Sequence, residues 1–219
     1  QLPRHHSFSQ NWHYSLTNWV PFYWEGFQQT TYYTYVIDDL SNKELIWNEM
    51  QENIRTDIRK AQKSNLTVHT DLSIEAIIEL NKMTFDRQNI VASYSEYLLK
   101  NLLETAISRN QCKWFIAQDK KEQNHAGVLI VWDENSAYYL LGGSDPDLRN
   151  SGAMSLCMWE AIKFASTVTK KFDFEGSMIE SVERFFRAFG AVQKPYFHIT
   201  KTPSYILRMA KIFKLASHV

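Results

Sequence analysis

Two carboxylates stand two residues apart in the segment 172–176, which reads FDFEG. The alternation of aromatic and acidic residues is typical of a short strand, on which Asp173 and Glu175 face the same side. Either carboxylate can take a proton from an attacking amine, directly or through a water, or bind a substrate ammonium. The alternative is structural: Asp173 caps nearby backbone and Glu175 is solvated.

A second candidate is the polar turn 149–153 (RNSGA), which comes directly before an apolar-periodic run. A helix that begins there has free backbone N–H groups in its first turn, and such groups bind anions. Gly152 lets an anion approach the backbone, Ala153 supplies an amide, and Arg149 supplies a positive charge. The alternative is a plain connection between a strand and a helix.

A basic stripe is the third candidate. Arg55, Arg59 and Lys63 recur every four residues, so a helix places them on one face. Such a surface suits a phosphate-bearing partner, and Arg59 is its central residue. The usual alternative for such a run is a solvated helix face.

The elements that position the first two candidates form a strand–helix–strand unit. Residues 137–141 are strand formers, which Gly142 and Gly143 are predicted to stop. Apolar residues then recur at three- and four-residue spacing through 156–168, which predicts a helix with one buried stripe. A second short strand follows at 172–174. Strands joined by a single helical crossover lie parallel, so their carboxyl ends share one edge with the start of the helix.

The rest of the chain alternates helices and strands. Ser41 and Glu44 form a capping-box pattern, and Leu45 with Met50 or Ile46 begins the apolar face of the helix that follows. Short polar turns between 113 and 141 predict a three-stranded antiparallel meander, which together with the crossover gives a mixed α/β sheet. The predicted strands are 28–37, 66–70, 113–118, 126–132 and 196–200, and the predicted helices are 41–63, 74–87, 97–109, 180–189 and 205–215.

Composition limits the classes of function. The 219 residues contain 24 basic and 24 acidic side chains, so a nucleic acid would need a local basic patch. The cysteines, Cys112 and Cys157, lack metal or redox spacing, and His5, His6 and His13 lack partners at ligand spacing. No apolar run approaches the roughly 20 residues that a membrane span needs. These features predict a reduced, cytoplasmic protein with no metal and no membrane span.

The first part of the chain is unusually aromatic. Eleven aromatic residues lie between positions 8 and 35. We expect Trp19, Phe22, Trp24 and Phe27 to be largely buried, since such a segment needs a large surface to pack on. The chain begins without a methionine, which is typical of an internal point of a longer protein.

The order of elements resembles the GNAT (N-acetyltransferase-like) fold, and five stretches make the resemblance more specific. They are similar to the Fem-type branch, which contains peptidoglycan aminoacyltransferases and BioF2-like acyltransferase domains. The five are NWVPFYWEGFQQTTYYTYVIDDL (18–40), IRKAQK (58–63), DFEGSM (173–178), FFRAFGA (185–191) and KPYF (194–197). The resemblance covers residues 18–202 and implies a GNAT fold with an antiparallel meander and a parallel crossover. Fem-type proteins contain two GNAT-like domains, so the resemblance implies that residues 1–31 are the tail of a first domain.

The resemblance also implies roles in a cleft. In GNAT enzymes the strand that matches residues 138–141 splays from its parallel neighbour, and the gap holds the donor thioester. An amide of that strand, here that of Leu140 or Leu141, polarises the donor carbonyl as an oxyanion donor. The resemblance places Gly142 beside this cleft.

The resemblance implies further roles for the 149–153 turn, hereafter the donor turn, and for the last strand. The pyrophosphate motif of GNAT enzymes, Q/R-x-x-G-x-G/A, matches residues 149–153 and departs at its last place, where Met154 stands. In such enzymes a tyrosine near the last strand often protonates the departing thiolate, which makes Tyr196 a candidate. Lys194 is a candidate for binding a carbonyl or phosphate oxygen of the substrate.

The sequence therefore predicts an acyltransferase that moves an acyl or aminoacyl group from acyl-CoA or aminoacyl-tRNA to an amine by direct attack. The acceptor is a small-molecule or peptide amine, a cell-wall precursor being implied by the resemblance alone, and tRNA is a candidate partner. The predicted domains are an aromatic-rich segment (1–31), the GNAT-like domain (32–204) and a C-terminal helix (205–219). The alternative is a non-catalytic ligand-binding domain with a degenerate donor loop, which Met154 favours.

Overall fold

The computed structural model describes residues 7–88, 94–176 and 178–204. The chain divides into two units, one formed by Tyr35–Val192 and one formed by the segments on either side of it. The predicted domain boundaries at 31/32 and 204/205 stay predictions, and the predicted helix 205–215 lies outside the described residues.

Eight strands and seven α-helices are described. In chain order they are β1 (Phe8–Asn11), α1 (Val20–Trp24), β2 (Gln28–Ile37), α2 (Lys43–Glu49), α3 (Glu52–Lys63), β3 (Thr67–His69), α4 (Ile74–Gln88), α5 (Glu96–Ser108), β4 (Cys112–Gln118), β5 (Asn124–Trp132), β6 (Ser136–Ser144), α6 (Ala153–Ala165), β7 (Lys171–Asp173), α7 (Glu180–Arg187) and β8 (Val192–Lys201). A 3-10 turn, Arg149–Ser151, directly precedes Gly152 and α6.

A mixed sheet forms the centre of the larger unit. Its strands follow the order β2-β7-β6-β5-β4-β3, with the last residues of β2 pairing antiparallel to β7. The strands β4, β5 and β6 form the predicted antiparallel meander. β6 and β7 are parallel, which confirms the crossover through α6.

Helices cover both faces of this sheet. On one face α3 and α6 bury the predicted residues Ile54, Ile58 and Ala61 against Leu156 and Ile162. On the other face α4 and α5 bury a second cluster, whose members are Ile77, Leu80, Leu99, Leu103, Ile116, Leu129 and Leu141. Each fully buried aliphatic side chain stabilises the fold by roughly 1.5–3 kcal/mol.

The predicted helix 41–63 is wrong, because the structure has two helices there. Asn42, and not Ser41, caps the first helix, its side chain accepting a hydrogen bond from the Leu45 amide at 3.0 Å. Met50 has an extended backbone, which ends α2 before α3 begins at Glu52. The break turns Ile46 inward and leaves Leu45 53% exposed, so the first of the predicted apolar positions is also wrong.

The strand β6 continues where two glycines were predicted to stop it. Gly142 and Gly143 pair with Val128 and Gly127 of β5, and the strand ends at Ser144. The predicted end of the crossover helix is also too late, since α6 ends at Ala165 and Val168 lies beyond it.

In the smaller unit, β1 pairs antiparallel with β8, from Phe8 opposite Lys201 to Asn11 opposite His198. Aromatic side chains pack edge-on in this unit, in the pairs Phe8–Phe27, Trp12–Phe22, Phe22–Phe27, Trp12–Phe197 and Trp19–Phe197. The predicted burial is confirmed for Phe27, whereas Trp19 and Phe22 are half-buried. It is wrong for Trp24, which is 75% exposed on the short helix α1.

Candidate functional site

The parallel strands β6 and β7 part where β7 ends. Their register runs from Ser136 opposite Lys171 to Tyr138 opposite Asp173. Beyond this last pair β6 continues to Ser144, whereas the Phe174 amide donates to the Tyr35 carbonyl at 2.9 Å and so follows β2. In the described part of the chain, no residue of β7 pairs with β6 after Tyr138. The predicted separation of these two strands is therefore present.

A β-bulge lies directly after the last parallel pair. Tyr139 is opposite Ile130 and Leu141 is opposite Leu129, so Leu140 is an extra residue in β6. A bulge interrupts the ladder and re-aims the backbone groups around it. Consequently Leu140 and Leu141, although consecutive, both pack into the cluster on the α4 side of the sheet. The two amides named from the sequence lie at this irregular point.

The bulge brings Tyr139 beside Gly142. A Cβ added at Gly142 would collide with the Tyr139 hydroxyl and lie 2.9 Å from the Gly127 carbonyl oxygen. The Tyr139 ring contacts Phe186 of α7 edge-on at 5.6 Å, and burial raises the pKa of its hydroxyl. Within the described residues this hydroxyl makes no hydrogen bond. A protonated O–H group therefore stands at the point where the strands part, a feature that the sequence analysis missed.

On the opposite face, α4 contacts the same stretch of β6. The Asn81 side-chain amide donates to the Gly142 carbonyl at 2.7 Å, and the Tyr94 hydroxyl donates to the other end of that amide. Sequence reasoning missed Asn81 as well. The sequence pattern that could have identified Asn81 is a polar residue four positions after Ile77 and next to Leu80, on the buried face of the helix.

Asp173 caps the turn that follows β7. It is buried, and its Oδ1 accepts a hydrogen bond from the Glu175 amide at 2.8 Å. Glu175 lies beyond the strand with φ 59°, and Gly176 follows with φ 68°. The predicted shared face of the two carboxylates is therefore wrong, because strand alternation ends at Asp173. A glutamate in this left-handed region is uncommon and costs on the order of 1–3 kcal/mol, which the surrounding structure must offset.

The Glu175 carboxyl has a pKa near neutrality. Packing of protein around it, and secondarily the negative charge of Asp173, raise its pKa to about 7. The residue as a whole keeps an exposed surface, so the carboxyl is desolvated by its neighbours and yet reachable by a small molecule. A group that titrates near neutral pH is suited to general-base catalysis.

The donor turn combines a free helix start with a closely packed glycine. α6 begins at Ala153, whose amide donates to Ser151 Oγ at 3.4 Å, and no side chain caps the helix from Gly152. Gly152 has φ 80°, and a Cβ added there would lie 2.8 Å from the carbonyl carbon of Asp57 in α3. The face of Gly152 predicted to admit a phosphate is therefore against α3. Arg149 is exposed and has no partner among the described residues.

The basic stripe on α3 is mostly structural. Arg55 Nη1 donates to the carbonyls of Met50 at 2.7 Å and Asn48 at 2.9 Å, and so binds the carboxyl end of α2. Arg59 pairs with Glu52 at 3.0 Å and lies over the Trp47 ring at 5.6 Å. The exposed Arg59 guanidinium still faces solvent, so its predicted contact with substrate stays a prediction.

The remaining candidates lie in the smaller unit. Lys194 and Tyr196 are on β8, and the Tyr196 ring contacts Tyr32 edge-on at 5.9 Å. Their roles stay predictions. Among the described residues, no three His, Cys, Asp or Glu side chains cluster as a metal site. None of the helices described is both long enough and apolar enough to cross a membrane.

Solved structures with a similar fold include FemX, with a TM-score of 0.65 and 14% identity over 75% of this chain and 61% of FemX. They also include the C-terminal domain of a putative lysylphosphatidylglycerol synthetase from Agrobacterium fabrum, with a TM-score of 0.57 and 12% identity over 86% of this chain and 65% of that one. L-PGS from Bacillus licheniformis matches with a TM-score of 0.57 and 11% identity, over 90% and 69% of the two chains. The chain therefore spans less than two thirds of FemX and of the Agrobacterium fabrum domain, and the predicted mixed α/β GNAT-like fold is confirmed.

No curated protein matches the chain in sequence. A family-level comparison is nevertheless decisive, since residues 48–187 match the acetyltransferase (GNAT) domain family. That match includes α3, the meander, the crossover helix and β7, which are the elements that surround the gap beyond Tyr138. The chain belongs to the acetyltransferase (GNAT) domain family.

Proposed function

We propose that this protein is an N-acyltransferase of the Fem-like branch, which moves an acyl or aminoacyl group from a thioester or ester donor to an amine. The observation that carries the proposal is the separation of β6 from β7 after Tyr138 and Asp173, with the Leu140 bulge on one side and Glu175 on the other. Membership of the GNAT family supports acyl transfer as the reaction class.

Glu175 acts as the base in this proposal. A carboxyl with a pKa of about 7 is partly ionised at neutral pH and can accept the proton that the amine loses as it attacks the donor carbonyl. Asp173 holds the Glu175 backbone through the Glu175 amide and adds negative charge beside the carboxyl. Asp173 is therefore a positioning residue, although it was a candidate base on sequence.

The Leu140 or Leu141 amide stabilises the oxyanion that forms on the donor carbonyl. Tyr139 adds a hydrogen-bond donor at the same gap. Because its pKa is raised, its hydroxyl stays protonated and stabilises the oxygen or sulfur of the leaving group by hydrogen bonding. The carbon–sulfur or carbon–oxygen bond then breaks, the acyl group stays on the amine, and the leaving sulfur or oxygen takes a proton from solvent to depart as the thiol or alcohol, while Glu175 returns its proton to solvent.

Two donors remain candidates. The family supports acyl-CoA, whose phosphates would lie at the start of α6 with Arg149 beside them. Similarity in fold to FemX and to L-PGS supports the Fem-like branch, for which the sequence resemblance implies aminoacyl-tRNA. In that case the exposed Arg59 and Lys63 of α3 would contact the RNA backbone. An amine acceptor in a cell-wall precursor and a cytoplasmic location are part of this proposal.

One observation favours the alternative of a non-catalytic binding domain. Gly152, the glycine of the donor motif, is closely packed on Asp57, and Met154 occupies the last motif position. A turn that serves packing alone would not need to bind a donor.

The test is calorimetric titration of the protein with acetyl-CoA and with alanyl-tRNA, followed by single-turnover transfer to hydroxylamine as a small amine acceptor. We expect one donor to bind and its acyl group to be transferred, and Glu175→Gln to slow transfer at least tenfold with unchanged donor affinity. Donor binding without transfer at any pH would support the binding-domain alternative. Absence of binding by both donors would contradict the proposal.

A further inference from the structure

A buried side-chain amide on α4 contacts the part of β6 that borders the gap. Asn81 is 7% exposed, and a buried amide destabilises a fold unless both of its ends are hydrogen-bonded. Both ends are bonded here: Nδ2 donates to the Gly142 carbonyl at 2.7 Å, and Oδ1 accepts from the Tyr94 hydroxyl. The side chain therefore has one fixed orientation.

Close packing brings α4 to this strand. A Cβ added at Gly143 would overlap the Leu80 carbonyl and lie 2.5 Å from the backbone nitrogen of Asn81. The backbone of the helix is therefore in direct contact with the backbone of the strand. Farther along α4, Thr84 Oγ1 accepts a hydrogen bond from the Ser144 amide at 3.2 Å. Each of the last three residues of β6 is therefore in contact with α4.

In the described part of the chain, these contacts lie on a stretch of β6 that follows the bulge and pairs with β5 but no longer with β7. The pairing with β7 has ended at Tyr138, and the pairing with β5 is interrupted at Leu140. A strand with a bulge and one unpaired edge has fewer ladder hydrogen bonds to hold its peptide planes. A hydrogen bond to the Gly142 carbonyl fixes the plane of the peptide that follows, and so restrains the backbone between the bulge and Gly143.

We propose that Asn81, oriented by Tyr94, is a positioning residue that fixes the β6 backbone beyond the bulge, and with it the Leu140 and Leu141 amides. The proposal deepens the proposed acyl transfer and rests on it, since these amides matter for rate only if they bind an oxyanion. Asn81 does not touch the reacting atoms in this role. Its effect is the geometry of the amides, to which oxyanion stabilisation is sensitive.

Tyr94 has a separate part in the arrangement. A side-chain amide can rotate by half a turn, which would place Oδ1 against the Gly142 carbonyl oxygen. The Gly142 carbonyl can only accept, which disfavours this rotation, and the Tyr94 O–H adds a donor to Oδ1 in the observed orientation. Burial raises the pKa of Tyr94, so the hydroxyl remains a donor at neutral and moderately alkaline pH.

Three variants distinguish a role of Asn81 in positioning the β6 backbone from a general contribution to the stability of the fold. Asn81→Asp keeps the shape and removes the donor to Gly142, and Tyr94→Phe removes the donor to Asn81. Thr84→Val is the matched control, since it removes the neighbouring contact of α4 with Ser144 and leaves Asn81 in place. For each variant, NMR amide exchange at residues 139–144 is measured together with acetyl-CoA and alanyl-tRNA affinity and single-turnover transfer to hydroxylamine.

In Asn81→Asp, we expect hydrogen exchange at the backbone amides of residues 140–143 to be at least tenfold faster than in the wild type. Acyl transfer should be slower by tenfold or more, with donor affinity within twofold of the wild type. Tyr94→Phe should show smaller changes in the same direction. Thr84→Val should lower thermal stability and leave the transfer rate unchanged. If Asn81→Asp and Thr84→Val show the same amide hydrogen exchange and the same rate of acyl transfer, the proposal is overturned.

The outcomes distinguish this inference from the proposed function. If wild-type protein neither binds nor turns over either donor, the proposed function fails, and amide exchange alone then decides whether Asn81 holds β6. If Asn81→Asp does not fold, Tyr94→Phe decides, because it leaves the Asn81 side chain in place. Unchanged exchange and unchanged transfer in a folded Tyr94→Phe variant would then overturn the proposal.

Discussion

Tyr139 and Gly142 lie on the same face of β6 although three residues separate them. In a regular strand they would face opposite sides, and the extra residue Leu140 reverses the alternation between them. Gly142 lacks a side chain where the Tyr139 hydroxyl lies. The hydroxyl thus lies beside Gly142, on the part of β6 that follows its last pair with β7 and that also supplies the candidate oxyanion amides.

Replacing Gly142 should therefore disturb Tyr139 directly. Gly142→Ala places a Cβ against the Tyr139 hydroxyl and 2.9 Å from the Gly127 oxygen, so we expect a loss of roughly 1–3 kcal/mol in the free energy of unfolding. In the double variant Gly142→Ala/Tyr139→Phe, part of this loss should be recovered, because the clashing oxygen is gone. Chemical denaturation of the two single variants and the double variant measures the coupling. Additive losses would show that the two residues do not share this space.

Tyr139→Phe by itself separates catalysis from packing. The hydroxyl has no hydrogen-bond partner among the described residues, so its removal breaks no hydrogen bond and we expect the free energy of unfolding to stay the same or to rise. Transfer of the acyl group should slow several-fold, since a hydrogen bond to the leaving atom is lost. An unchanged single-turnover rate would remove Tyr139 from the mechanism.

Glu175 should control the pH dependence of both rate and stability. The transfer rate should rise with pH through an apparent pKa of about 7, because the base must be ionised, and Glu175→Gln should abolish that rise. The folded protein binds the Glu175 proton more tightly than the unfolded chain, whose glutamates titrate at about 4.3. The contribution of Glu175 to stability is therefore fully present below about pH 4.3 and is lost as pH rises through about 7.

Glu122 offers a matched control for this prediction. It is an exposed glutamate with φ 61°, in the turn between β4 and β5, and so shares the backbone conformation of Glu175. Glu122→Gln should leave the pH profiles of rate and stability as they are in the wild type. A Glu175→Gln profile that superimposes on that of Glu122→Gln would contradict the assigned pKa and the role of base.

The donor turn should show two separate effects. Gly152→Ala puts a Cβ 2.8 Å from the Asp57 carbonyl carbon at φ 80°, so we expect a loss of stability of at least about 1 kcal/mol, seen as a lower melting temperature. Arg149→Ala should leave the melting temperature unchanged and weaken donor binding about tenfold, or about 1.4 kcal/mol. Equal donor affinity in Arg149→Ala and wild type would mean that this turn only connects β6 to α6.

Two arginines of the same stripe should behave differently. Arg55→Ala should cost about 1.5–3 kcal/mol of stability, because the guanidinium bonds to carbonyls at the end of α2. Arg59→Ala should cost less than about 1 kcal/mol, since its pair with Glu52 is exposed. If α3 binds tRNA, Arg59→Ala should also weaken that binding and reduce its salt dependence, measured by titration at several salt concentrations.

Much of the fold follows from local pattern. Apolar spacing predicted the helix that became α6, with Leu156 and Ile162 buried, and short polar turns predicted the meander. One helical crossover then required β6 and β7 to be parallel, which brought the 149–153 turn and Asp173 into one strand–helix–strand unit. Side-chain periodicity is a short-range property, so it can be read directly from neighbouring residues in the sequence.

The arrangement of the candidate site was decided by contacts between residues far apart in the chain. The Leu140 bulge depends on the register of β6 with β5. The burial of Gly152 depends on the packing of α3 against it. The hydrogen bond to the Gly142 carbonyl depends on the side-chain amide of a residue sixty-one positions earlier. The position and pKa of Glu175 depend on where β7 ends and on the protein packed around its carboxyl. The sequence by itself determined the meander, the crossover helix and the parallel pairing of β6 with β7 in this GNAT domain. Only the tertiary structure decided which backbone groups are fixed and which carboxyl is desolvated, because both depend on neighbours that packing brings together.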